Sequence, residues 1–346
     1  MSETVLITGG AGFIGCNIAD RLATEGHDII VFDALARPGV ERNLAWLRAR
    51  HGSRIRPVIA DIRDARAVAA AVQGAGAVFH LAAQVAVTTS MADPLEDAQA
   101  NILGTLHLLE ALRRRGGRVP LMFASTNKVY GDLADVALTV QDEAYVPIDR
   151  AVREHGIGET RKLDFHTPYG CSKGAADQYV LDYARSFDMP TCVLRMSCIY
   201  GPRQMGTEDQ GWVAHFLIRA LQGEPIRIYG DGMQVRDVLH VQDAVHAYLS
   251  AWRQIDTVSG TALNLGGGPR NAISLRHLVA EIEHLTGRTV AVGFAGWRQG
   301  DQRYYVADCR AARRALGLRE PIFWREGVAD LARWLSEARA PAIEAA

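Results

Sequence analysis

The chain has 346 residues, 48% of them hydrophobic and 22% charged, and a formal net charge of −1. That much apolar material fills a large core with a smaller lobe attached, and near-neutral charge excludes a protein built to grip nucleic-acid phosphates. No apolar run reaches the roughly 18 residues of a membrane span, and "TVLIT" (4–8) follows no basic stretch, so neither a span nor a secretory leader is expected. The cysteines at 16, 171, 192, 198 and 309 lie far apart with no C-x-x-C pair, as reduced thiols of a cytoplasmic protein do. Only three of the 38 basic residues are Lys, namely Lys128, Lys162 and Lys173. In such a chain a Lys marks a place where an ammonium specifically is wanted.

In chain order, "TVLITG" is an apolar run leading into a helical stretch from Gly12 to Glu25. Strands follow at 28–33, 55–62, 77–83 and 120–126, with amphipathic segments between them. Residues 93–115 carry apolar side chains at 95, 98, 102, 103, 106, 109 and 112, which predicts a helix. A second long helix is predicted over 168–187, then the strand "TCVLRMSCIYG" (191–201). Short apolar strands alternating with helices predict an α/β fold, a Rossmann-type doubly wound parallel sheet.

Beyond residue 200 the pattern loosens. Short strands ("IRIYG", "TALNLG", "TVAVGF", "RYYVAD") mix with helices at 211–222, 274–286 and 327–338. The expected division is a dinucleotide-binding domain over 1–200, carrying the catalytic helix, and a smaller α/β substrate lobe over 201–340. A return of strands from the lobe to the first sheet is left open. Residues 340–346 read as a frayed tail.

"TGGAGFIG" (8–15) sets Gly9, Gly12 and Gly15 between a strand and a helix. Gly9 permits the tight turn, Gly12 the close approach of a pyrophosphate, and Gly15 close helix–strand packing. The second strand ends in Asp33, where a carboxylate accepts ribose hydroxyls and repels a 2′-phosphate, favouring NAD over NADP. Arg37 and Arg42 follow in the loop and either keep NADP open or are simply solvated. Asp61-Ile62 ends the third strand and either flanks the adenine or caps the helix over 64–73.

Tyr169 and Lys173, in "YGCSK", share one helix face at i, i+4, which lets an ammonium lower the phenol's pKa from its ordinary value near 10. Thr126 ends the strand before that helix, so its hydroxyl can reach the same substrate oxygen. Hydroxyl, phenol and lysine beside NAD can take a proton from an alcohol while hydride leaves its carbon.

Taken together, these pieces resemble the extended short-chain dehydrogenase/reductases that act on nucleotide sugars, from Thr4 to about Trp334. The matching stretches are "TGGAGFIG", Asp33, Asp61-Ile62, "HLAAQ" (80–84), "ANILGT" (100–105), "STNKVYG" (125–131), "PYGCSK" (168–173), "RMSCIYGPRQ" (195–204), "RDVLHVQD" (236–243) and "NLGGG" (264–268). The resemblance implies NAD as cofactor, no metal, and catalytic roles for Thr126, Tyr169 and Lys173, with Lys173 also holding the nicotinamide ribose. It implies cofactor contacts from Gly9, Gly12, Phe13, Ile14, Gly15, Asp33, Asp61, Ile62, Leu81, Ala82, Ala83 and Asn101. On the substrate side it implies Gln84, Thr126, Asn127, Lys128, Cys198, Arg203 and Gln204, with Arg236 and Arg298 gripping the diphosphate. Cys198 stands where many relatives carry Asn, and reads as a small buried hydrophobe. The resemblance also implies a homodimer through the helices at 93–115 and 168–187, although their Leu/Ala-rich faces fit packing on the sheet equally well.

Dehydratases of this family carry an acidic pair after the Thr, and related decarboxylases a Glu in the second place. Asn127 and Lys128 occupy those places here, which leaves oxidation and return of hydride to the opposite face, an epimerase. "STNKVYGD", the long insert 140–167 and "YGPRQMGTEDQGWV" resemble the CDP-paratose/CDP-tyvelose type of 2-epimerase, with the insert expected over the sugar. A 4-ketone acidifies C3 and C5 but not C2, so inversion at C2 requires oxidation of C2 itself. The alternatives are a UDP-hexose 4-epimerase type, a net NAD-dependent oxidoreductase, and an NAD-sensing scaffold.

Overall fold

The computed structural model describes residues 2–337; the tail expected at 340–346 lies outside them. Fifteen strands occur in this stretch: β1 (Thr4–Thr8), β2 (Asp28–Asp33), β3 (Ile55–Ile59), β4 (Ala77–His80), β5 (Leu121–Thr126), β6 (Leu138–Gln141), β7 (Ala144–Pro147), β8 (Thr191–Met196), β9 (Cys198–Tyr200), β10 (Ile226–Tyr229), β11 (Val235–His240), β12 (Thr261–Leu265), β13 (Ala272–Ser274), β14 (Val292–Ala295) and β15 (Tyr304–Tyr305). Seven form one parallel sheet in the order β12-β8-β5-β4-β1-β2-β3.

Strand periodicity sends alternate side chains to opposite faces, and both faces are covered. Val5, Ile7 and Val31 pack against the helices Phe13–Thr24, Val40–His51 and Val241–Arg253. Leu6, Ile30, Phe32 and Phe123 face the helices Ala65–Ala71, Gly104–Arg115 and Thr167–Phe187. A smaller lobe holds β13, β11 and β15, joined by β9, with β10 pairing β14 beside it. No helix among the described residues is long and apolar enough to cross a membrane.

The strand expected over 191–201 is two strands. The chain breaks at Ser197, whose hydroxyl bonds Asp237, so β8 stays in the large sheet while β9 pairs β11 of the lobe. Here the two lobes share one continuous chain segment. Residues 241–265 return to the large sheet as a helix and its edge strand β12, so the large lobe draws on chain well beyond residue 200. The 93–115 helix is interrupted by a π-helical turn, Gln99–Leu103, that presents Asn101 inward.

The insert 140–167 is not a free lid. β6 and β7 form a hairpin turned by Asp142 and Glu143, both at positive φ, and Tyr145 N–H bonds Met233 O at 2.9 Å. Ala144 and Ile157 are buried among Tyr304, Tyr305 and Val306, so the segment straps the large sheet's loops to the lobe.

Beneath β5 lies a buried ion pair. Arg195 on β8 donates through Nε and Nη2 to the two carboxylate oxygens of Asp177, each at 2.9 Å. Ser125 Oγ donates to Asp177 at 2.7 Å, and Arg195 Nη1 to Tyr130 OH at 3.1 Å. Asp177→Ala strands a buried guanidinium and is expected to lower stability by about 3–5 kcal/mol in urea unfolding. Joint replacement by Leu at 177 and Met at 195 is expected to recover most of that loss, because no unpaired charge then remains.

Candidate active site

The glycine turn is shaped by what lies beneath it. Gly9 has φ +69°, and a Cβ there would stand 2.8 Å from Ala82 N, so the loop Leu81–Ala83 after β4 fits only under a glycine. A Cβ on Gly15 would sit 2.2 Å from Gly9 O, which ties the helix start to the same turn. No side chain caps the helix Phe13–Thr24, so its first N–H groups, at Phe13 and Ile14, are left for an anion. Asp33 is aimed by two backbone donors, Ala11 N–H to Oδ2 at 3.0 Å and Leu35 N–H to Oδ1 at 2.9 Å. An uncapped helix start over a bare turn, with an oriented carboxylate at the next strand end, fits the pyrophosphate and ribose of NAD.

Arg37 and Arg42 are exposed. Asp61 does not cap the following helix; Asp64 does, accepting from Arg66 N–H and Ala67 N–H. Asp61 instead accepts from the backbone and guanidinium of Arg63, while Ile62 is buried against Gly104.

Thr126 and Tyr169 meet where β5 ends. Thr126 Oγ1 accepts from Lys128 N–H at 3.3 Å, and Tyr169 N–H donates to Ser90 Oγ at 3.1 Å, which seats the start of the catalytic helix. Burial pushes the Tyr169 phenol up to about 12, against a hydrogen bond with Thr126 and with Asp97 adding to the rise. Burial likewise pulls Lys173 down to about 7, opposed by Asp177 and Asp97, and its Nζ sits 4.2 Å from the Phe123 ring centroid. The expected depression of the phenol by the ammonium is therefore not what the protein alone does. Both groups are desolvated together, and burial penalises either charge.

Several residues expected at the ligands are engaged inside the protein. Asn101 donates to Gln84 O, Asp97 and Ser172, and accepts from Gln84 N–H, so it orders the elements around Lys173. The Gln84 amide bonds Ala86 and Asp97. Asn127 Nδ2 donates to Gln302 at 2.9 Å, and Lys128 Nζ to Gly300 O at 3.0 Å. Cys198 accepts from the Trp212 indole at 3.4 Å. Gln204 Nε2 donates to Ile199 O while its Oε1 is buried without a partner among the described residues. Arg236 pairs with Asp301 at 2.7 Å, and Arg298 stacks 3.9 Å over Tyr229 while reaching Asp209.

Arg203, expected at the substrate, stands elsewhere. Its guanidinium lies 3.7 Å from the Trp46 ring centroid and 5.7 Å from that of Trp334. Its backbone is left-handed at φ 76°, and its cation is held by those aromatic faces.

Asp97, Ser172 and Asp177 escaped the sequence reading. Asp97 precedes Asn101 by four residues and Asp177 follows Lys173 by four, so helical spacing from the motif residues would have found both. His80 is a further one: its Nδ1 lies 2.7 Å from Thr8 Oγ1 and its Nε2 3.0 Å from Thr105 Oγ1. The Thr105 hydroxyl donates to Asn101 O, so His80 Nε2 is the donor to Thr105 and Nδ1 accepts from Thr8. Burial, helped by Lys173, pulls this imidazole down to about 3. A neutral buried His stabilises fully above its unfolded pKa near 6.5 and loses that contribution as pH falls toward 3. Unfolding free energies in urea at pH 6.5 and pH 5 are expected to differ by about 2 kcal/mol from this group, and His80→Gln to flatten the difference.

Residues 5–266 match the NAD dependent epimerase/dehydratase family. The chain is 40% identical over 339 residues to CDP-paratose 2-epimerase of Salmonella typhi, covering 96% of this chain and 99% of that one. The fold superposes on UDP-glucose 4-epimerase of Thermotoga maritima, solved with UDP-glucose, with a TM-score of 0.83, 30% identity and coverage of 97% and 99%. It also superposes on UDP-glucose 4-epimerase of Thermus thermophilus, solved with NAD, with a TM-score of 0.81, 30% identity and the same coverage.

Proposed function

Because this chain belongs to the NAD dependent epimerase/dehydratase family, we propose that it is a CDP-sugar 2-epimerase of the CDP-paratose/CDP-tyvelose type. The reading rests on Thr126 and Tyr169 meeting at a strand end whose next two residues, Asn127 and Lys128, carry no carboxylate. Elimination or decarboxylation as run by relatives with an acidic residue there needs that carboxyl as proton carrier, whereas inversion through a ketone needs none. The likeness to the Salmonella typhi enzyme supports CDP as the nucleotide and C2 as the carbon.

NAD, when bound, supplies the hydride acceptor and a positive charge beside the phenol. The chain's own residues handle the proton. Thr126 orients the sugar hydroxyl, and Tyr169 takes its proton as the C2 ketone forms. Once the sugar has turned, Tyr169 returns that proton, so no net acid or base is consumed. Lys173 is tethered through its helix to the Asp177–Arg195 pair, which keeps the cation beside the phenol as it ionises. Lys173 is buried and Tyr169 half-buried, which limits the water that could hydrate a ketone there.

The same reading includes a homodimer in a reducing cytoplasm. Leu95, Leu103, Tyr179 and Phe187 are 75%, 48%, 43% and 47% exposed on the helices at 94–115 and 167–187, an apolar face suited to a second copy. All five cysteines are free thiols. Light scattering is expected to give a dimer, and Leu103→Glu combined with Phe187→Glu to give a monomer.

Incubation with CDP-paratose and with UDP-glucose, read by NMR, tests the activity. Inversion at C2 of the CDP-sugar without accumulation of NADH is expected. Tyr169→Phe is expected to lower turnover by about 100- to 10,000-fold while NAD stays bound. Inversion of UDP-glucose at C4, with no reaction of the CDP-sugar, would overturn the reading.

A further inference from the structure

Lys128 has no part in the proton transfer just described. It stands two residues beyond Thr126, and its N–H on the Thr126 hydroxyl fixes its place relative to the reacting oxygen. Its ammonium crosses to the smaller lobe and donates to Gly300 O, using one of the three N–H groups it carries.

The loop 298–302 is bound to the same turn a second time, because Gln302 accepts from Asn127 and donates to Gly131 O at 2.6 Å. Asp301 on that loop pairs with Arg236, and Arg298 stands at its start. Lys128 and Arg236 therefore approach each other around one carboxylate. Burial first, and Arg236 second, hold the Lys128 ammonium down to about 8, with Asp301, Cys198 and Asp132 acting the other way. Asp132 itself faces His166 at 3.4 Å. Lys128 is half-buried and Arg236 buried beside Asp301, with Asp132 turned to His166, so an anion entering between the two cations meets positive charge from both.

A nucleotide sugar carries such an anion on its anomeric oxygen. C2 is bonded directly to the carbon bearing that oxygen, whereas C4 stands across the ring, three bonds away. A phosphate held by an ammonium two residues from Thr126 brings C2, not C4, to the hydroxyl and the phenol. We infer that Lys128 binds the sugar-linked phosphate of the nucleotide diphosphate and so selects C2 as the carbon that reacts, an inference that rests on the 2-epimerase reading above. The carboxylate that other family members carry in this place would repel the same phosphate.

Calorimetric titration with CDP and with CMP, which lacks that phosphate, separates this role from a structural one. In Lys128→Met the dissociation constant for CDP is expected to rise by about 10- to 100-fold, and that for CMP to move by less than about two-fold. Lys128→Gln, which keeps a donor for Gly300 O, gives the same comparison should the Met variant fail to fold. Lys128→Arg is expected to keep the preference for CDP. Equal changes for both nucleotides, or none, overturn the inference. Wild-type inversion at C4 would overturn the 2-epimerase reading with it, whereas inversion at C2 with an undiminished CDP preference in the variants overturns this inference alone.

Discussion

The Asp177–Arg195 ion pair is the contact on which the site's geometry depends. Thr126 arrives on a strand and Tyr169 on a helix, and a strand and a helix have no hydrogen-bond ladder in common to hold them in register. Asp177 lies two helical turns beyond Tyr169 and accepts both from Arg195 on β8 and from Ser125, the neighbour of Thr126. Arg195 extends the network to Tyr130, whose hydroxyl donates to Asn264 on β12 at 2.8 Å. Helix, two central strands and the edge strand are thereby fixed by charge-assisted bonds, which are directional where apolar packing is not.

Desolvation is the second organising force, and at four ionisable groups it penalises the charged form. Among these groups it raises Tyr169, lowers Lys173 and Lys128, and keeps His80 neutral. The protein alone therefore holds a protonated phenol and weakened ammonium groups. Under the proposed function, charged ligands would complete the balance: the cofactor beside Tyr169, and the diphosphate at Lys128. A site arranged this way strengthens its electrostatics on binding, because the arriving charge displaces water and meets its partners in a low dielectric.

Much of the site was legible in short stretches. The glycine turn, the strand end at Asp33 and the one helix shared by Tyr169 and Lys173 were legible as local geometry, because a tight turn, a strand end and one helix face span only a few residues. Asp97 and Asp177 were within reach of the same helical arithmetic. Arg203 and the insert 140–167 were not legible that way. Arg203 is held by Trp46 and Trp334, which lie far from it in the chain. The insert's apolar residues find Tyr304–Val306, far onward in the chain. The break at Ser197 likewise depends on Asp237, with which it bonds only once the lobes are folded.

The amino-acid sequence by itself determined the alternation of strands and helices, the cofactor turn and the type of chemistry, including the lack of an acid after Thr126. These depend on backbone periodicity and on residue identity, which are local properties. Only the tertiary structure decided which cations face one another, which amides are occupied, and that Lys128 reaches across to the loop at Gly300. Those outcomes depend on long-range packing and shared desolvation, and both arise only when distant segments exclude water together.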